Sequence, residues 1–139
     1  MMIINFHNKL NTIVVCISLI FCNHSFSGEV NSWECYKFEG SRIIGDDEEY
    51  LGSIGPSWMQ ESIFNSSSQY SSQWSQSSIF NNNSKYGNTY SSYSAFNDNA
   101  SSPPKIYKDG ELIGFLSVGP KWNHNRYSPY DIKFTCDWD

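Results

Sequence analysis

Charged residues are scarce in this sequence, and basic ones scarcest: nine Lys and Arg stand against 14 Asp and Glu in 139 residues. The formal charge of −5 repels phosphate backbones and anionic headgroups, so neither nucleic acid nor a membrane surface is an expected partner. Histidine is scarce too. Of three, only His124 falls beyond residue 27, in the polar loop Trp122-Asn123-His124-Asn125-Arg126. No Gly-x-Ser-x-Gly elbow positions a nucleophile beside it, which leaves a small hydrolase with no frame for its chemistry. The expectation is no enzyme, no catalytic residue, no metal and no cofactor. Long apolar runs are missing as well: the longest, Thr12 to Cys22, has 11 residues, whereas a bilayer-spanning helix needs roughly 20.

That short run follows one basic residue, Lys9, and leads into Ser25-Phe26-Ser27, a small-x-small cleavage pattern. The order is that of a secretory signal over residues 1–27, with a mature chain from Gly28 that is secreted or periplasmic and carries no membrane span. A membrane anchor and a lipid-modified Cys22 are the alternatives; Phe21 before Cys22 is larger than lipidation favours. Without Lys9 the mature chain has eight basic and 14 acidic residues, a formal −6, compatible with a basic protein partner. Its 112 residues, 28–139, suit one domain. Cys16 and Cys22 leave with the signal, and the remaining pair, Cys35 and Cys136, reads as one disulfide closing a loop of about 100 residues.

The middle of the chain, rich in Ser, Asn and Gln, carries a 16-residue period over about residues 61–102. Ser62-Ile63-Phe64-Asn65 recurs as Ser78-Ile79-Phe80-Asn81 and as Ser94-Ala95-Phe96-Asn97; Tyr70 falls on Tyr86 and Trp74 on Tyr90. Low-complexity disorder has no reason to hold aromatics in register, so the segment is expected to fold as ordered turns and very short strands. A disordered or adhesive tether is the alternative. Phe64, Phe80 and Phe96 are expected to occupy equivalent buried sites, with Gln73 and Thr89 facing solvent. Tyr70, Trp74, Tyr86 and Tyr90 divide between core and ligand-facing platform, since rings set among Ser and Asn are the composition of adaptable binding surfaces.

A second duplication flanks the first. Ile44 to Trp58 matches Ile106 to Trp122 once two residues are skipped, with Asp109-Gly110 as a hairpin turn and Asp47-Glu48 at the matching place. Gly52 and Gly114 share a column, as at a bulge or close backbone approach. The four acids Asp46 to Glu49 read as a solvated tip, with weak calcium binding the alternative. From Asp131 to Trp138 apolar and polar residues alternate, which predicts a strand, and Trp33 to Phe38 is also strand-like. The expected fold is mainly β: a small single domain of β-hairpins flanking the turn-rich repeats, clasped by one disulfide.

The sequence of Leu51-Gly52, the Asn65, Asn81 and Asn97 columns, Tyr86-Gly87, Tyr90-Ser91, two prolines and Asp109-Gly110 resembles a family of small exported bacterial proteins with tandem S-I-x-N and Y-G-x-x-Y-S units. The resemblance covers about residues 43–122 and implies export and a bacterial source; it contributes no catalytic residue. Ser71 stands where the pattern has glycine, so the turn there is expected to differ. The functional expectation is a non-enzymatic exported protein that binds a cell-envelope component, with an inhibitor or immunity protein against a basic enzyme as the alternative and a small hydrolase as the second.

Overall fold

The structure, a computed structural model, describes residues 30–120, 123 and 125–138. The expected leader, Cys22, Trp122 and His124 lie outside those residues.

Two hairpins form where the sequence places them. Strands β1 (Ser41–Ile44) and β2 (Tyr50–Ile54) pair antiparallel, as do β3 (Lys105–Lys108) and β4 (Glu111–Leu116). β1 pairs antiparallel with β3, and the short β5 (Arg126–Tyr127) adds parallel to β4, giving one sheet in the order β2-β1-β3-β4-β5. Asp109 and Gly110, with φ of 50° and 85°, make the left-handed pair that a two-residue hairpin turn requires. The first hairpin lacks that glycine and takes a longer turn: the Gly45 N–H donates to the Glu49 carbonyl at 2.8 Å, and Glu48 carries the positive φ of 66°.

Gly52 and Gly114 lie where the two ladders shift register. A Cβ on Gly52 would sit 2.7 Å from the Tyr70 side chain and 2.9 Å from the Glu61 carbonyl oxygen; one on Gly114 would sit 2.6 Å from the Tyr127 ring. The shared column is therefore a pair of close approaches.

Both terminal segments differ from expectation. Residues 32–38 are a 3₁₀ turn (Ser32–Glu34) running into the short helix α1 (Cys35–Phe38), and the end of the chain is helix α2 (Pro129–Cys136). The alternation over 131–138 was outweighed by start signals just upstream. Ser128 caps α2, its hydroxyl accepting from the Asp131 N–H at 3.5 Å, with Pro129 in the first turn. Likewise the Glu34 carboxylate accepts from the Asn31 N–H at 3.1 Å, a capping arrangement. On a helix Ile132 turns inward, while Phe134, expected on the same face, is 90% exposed. The disulfide Cys35–Cys136 forms as expected but joins two helices, with Cα atoms 5.6 Å apart.

Between the hairpins the chain runs as a succession of tight turns. The N–H groups of Met59, Ser62, Asn65, Ser68 and Ser71 each donate to the carbonyl three residues earlier, and those of Ser78, Asn81, Ser84 and Gly87 do the same one period on. From Ser62 onward most of these turns open on Ser or Asn, whose side chain accepts the N–H two residues ahead: Ser62 from Phe64, Ser78 from Phe80 and Ser94 from Phe96, at 3.0, 3.1 and 3.0 Å. Asn65, Asn81 and Asn97 accept likewise from Ser67, Asn83 and Asn99, each at 2.9 Å. The same asparagines donate six residues back, to the carbonyls of Met59, Ser75 and Ser91 at 3.0, 2.9 and 2.9 Å. The 16-residue period is thus five triplets plus one residue, Ser71 or Gly87. At Gly87 a Cβ would meet the Asn81 and Ile79 carbonyl oxygens at 2.3 and 2.4 Å. Ser71 takes a different course, its hydroxyl donating to the equivalent Asn65 carbonyl at 2.6 Å.

The fully buried apolar column of this turn coil is Ile63, Ile79 and Ala95, one residue before the column expected and beside the equally buried Ser62, Ser78 and Ser94. Phe64 is 9% exposed, and Phe80 and Phe96 are half-buried, their rings 5.7 Å apart. In the triplets that begin at Ser62, Ser78 and Ser94, position two faces the core and position three leans to its rim. The hairpins bracket the coil: the Ile63 N–H donates to the Ser53 carbonyl on β2 at 2.9 Å, and the Val118 N–H, just past β4, to the Ala95 carbonyl at 2.8 Å. Ile43, Leu51, Ile54, Ile106 and Leu116 of the sheet join the coil column, Phe38 and Ile132 in one core cluster.

Candidate functional site

The four aromatics weighed as ligand-facing separate into two pairs. Tyr86 is 3% exposed, and its hydroxyl donates to Asp47 Oδ1 and Oδ2 at 2.7 and 2.8 Å. Tyr70 is half-buried, its ring 5.2 Å from that of Tyr50. Both belong to the packing between coil and first hairpin. Trp74 and Tyr90 point outward, 85% and 92% exposed.

A third ring belongs with them. Met59, Ser75 and Ser91 supply equivalent carbonyls to the three asparagines, so the residues just before them, Trp58, Trp74 and Tyr90, occupy one column. Trp58 is 76% exposed. The Phe80–Phe96 contact shows that residues one period apart fall on the same side of the coil, and the same displacement carries Trp58 to Trp74 to Tyr90. Each ring sits at the third place of a triplet. The Trp74 N–H donates to Ser72 Oγ at 3.2 Å and that of Tyr90 to Asn88 Oδ1 at 2.8 Å, which fixes the backbone beneath the ring. The hairpin alignment hid Trp58; counting back 16 residues from Trp74 finds it.

Trp58 also borders an open cleft of about 550 Å³ with Arg42, Tyr50, Ser53, Gln60 and Glu61. The Tyr50 hydroxyl donates to Glu61 Oε2 at 2.8 Å; burial, then that bond, pushes the phenol well above its ordinary pKa, so it stays a neutral donor. Arg42 lies with its guanidinium 5.0 Å from the Tyr50 ring centre. A second cleft of about 540 Å³ shares Gly40 and Arg42 and runs across β1 and β3.

The acidic tip is occupied by lysines. Lys105 reaches Asp46 at 2.8 Å, and Lys85 pairs with Asp47; each partner's hydrogen bond holds its carboxyl below the ordinary range. Among the described residues no cluster of three or more His, Cys, Asp or Glu is placed to hold a metal, and no helix is long and apolar enough to cross a membrane. Compared with protein families, with characterised proteins and with solved structures, the chain matches none.

Proposed function

We propose that this is a non-enzymatic, exported binding protein of a bacterial cell envelope, and that the column Trp58, Trp74 and Tyr90 is its contact surface. The observation that carries the reading is the outward display of three large rings at equivalent positions of a coil that buries Ile63, Ile79 and Ala95 beneath them. Aromatic side chains offer large, rigid contact area at low entropic cost, and rings left in water on a hydrogen-bonded frame are suited to stack on a ligand. The inhibitor reading draws on the acidic charge, but the tip's Asp46 and Asp47 are already paired with lysines of the same chain.

The test is retention of the exported protein on native envelope fractions. Binding to peptidoglycan or polysaccharide that falls when Trp74→Ala and Tyr90→Ala are combined supports the reading. Recovery of one stoichiometric basic enzyme, undiminished by those changes, selects the inhibitor. Mass spectrometry of the same sample is expected to show a chain beginning at or near Gly28; an acylated Cys22 would overturn that cleavage site.

A further inference from the structure

Among the described residues, the cleft beside Trp58 is lined by one cation with no carboxylate partner and one hydroxyl with no hydrogen bond. Lys37, Lys85 and Lys105 each grip a carboxylate, whereas Arg42, exposed in the middle of β1, has none among the described residues and makes only its contact with the Tyr50 ring. Directly across the ladder from Arg42 stands Ser53. Residues opposite one another in an antiparallel pair project from the same face, and both border the same cleft. Ser53 is 5% exposed, and its Oγ has no hydrogen-bond partner among the described residues, unlike the coil serines that close their own turns. A buried hydroxyl left unpaired is costly, and a ligand group that reached it from the cleft would relieve that cost.

The surroundings select the ligand. A polyanion is disfavoured by the chain's charge of −5 and by the Glu61 carboxylate in the same wall. A purely apolar ligand would strip water from the guanidinium and return nothing. What remains is a flat, weakly apolar face against the indole with donors and acceptors around its edge: Arg42 gives only donors, Glu61 only accepts, and Ser53 does both. Sugar hydroxyls likewise donate and accept, and the C–H face of a pyranose matches an aromatic plane.

We propose that this cleft binds an uncharged sugar unit of a polysaccharide, stacked on Trp58 with adjacent hydroxyls held by Arg42 and Ser53. The inference rests on the aromatic column as contact surface and names its ligand class. Because the cleft is open and Trp74 and Tyr90 continue from Trp58, it takes internal stretches of a chain, and affinity rises with oligosaccharide length.

The experiment titrates the full chain with cellohexaose, chitohexaose and maltohexaose, and with an oligogalacturonate of equal length, following tryptophan fluorescence and heat of binding. At least one uncharged hexasaccharide binds saturably and more tightly than its disaccharide. Trp58→Ala and Arg42→Met each weaken it by roughly tenfold or more, the size of one lost charged hydrogen bond or stacked ring, and Ser53→Ala weakens it less. Phe134→Ala, an exposed ring on α2, leaves it unchanged. Arg42→Lys keeps the charge and fold while losing the planar donors, so it too weakens binding. Saturation by none of the three, by the galacturonate alone, or undiminished by Trp58→Ala overturns the proposal. If no hexasaccharide binds while envelope retention still depends on Trp74 and Tyr90, the sugar assignment fails and the contact surface stands.

Discussion

The sheet and the turn coil share one core but are encoded by opposite means. In the sheet, backbone groups pair across strands far apart in sequence, and the strands bring Ile43, Leu51, Ile54, Ile106 and Leu116 to full burial. In the coil, backbone bonds span three residues, and each period gives the core chiefly one fully buried aliphatic, Ile63, Ile79 or Ala95. Ser and Asn side chains there supply the second half of most turns' hydrogen bonding. A composition that usually marks disorder can therefore specify a fixed backbone when its polar side chains are placed at a constant step.

The disulfide separates the two regions most sharply. Replacing Cys35 and Cys136 by Ser releases a loop with a sequence separation of 101, which the chain-entropy relation values at about 4–5 kcal/mol. Chemical denaturation is expected to show that loss as a lowered midpoint for both regions together; a sheet that melts while the coil persists would mean two independent units. Next in size is the core column. Ile79→Ala should cost about 2–5 kcal/mol, and Phe80→Ala, half-buried at the rim, about 1–2 kcal/mol. Urea titrations of the two would reverse the assignment of the inner column if Phe80→Ala were the worse.

The polar step itself is tested by Ser78→Ala, which strips the acceptor from the Phe80 N–H and should cost about 1–2 kcal/mol, against under about 0.5 kcal/mol for the exposed Thr89→Ala. Equal melting temperatures for both variants would reduce the serines to solubility. The smallest effect concerns the seam between the regions. The Asp47 carboxyl, held below its ordinary 3.8 first by its bond from Lys85 and then by that from Tyr86, stabilises the fold when ionised. That contribution is fully present above about pH 3.8 and is lost as pH falls through the lower folded-state pKa. Melting curves between pH 5 and 2.5 should fall less steeply in Asp47→Asn than in the parent; parallel curves would remove Asp47 from the acid response.

Much of this was readable beforehand, and the failures have particular causes. Asp109-Gly110 announced its hairpin, Gly52 and Gly114 their close approaches, and the two cysteines their bridge. The 16-residue period was visible because aromatics repeat at it. The three-residue step beneath it was not, because Ser and Asn substitute for one another at its first place and the extra residue resets the count at Ser71 and Gly87. The helix Pro129–Cys136 was hidden by an alternation that Ser128 and Pro129 overrule. Arg42 and Ser53 had no motif to show them; the register that sets them side by side exists only in the folded sheet.

The leftover residue in each period has a consequence for how such a chain can change length. An insertion of three residues adds a turn but moves every later ring to another side of the coil. An insertion of 16 restores all columns at once and adds one further ring to the outward row. Duplicating residues 73–88 is therefore expected to give a folded protein with four display positions, and duplicating only 73–75 one that melts lower, which circular dichroism would compare directly. Genes of this type would grow in quanta of 48 nucleotides, each quantum adding one ring to the outward row without redesigning either hairpin.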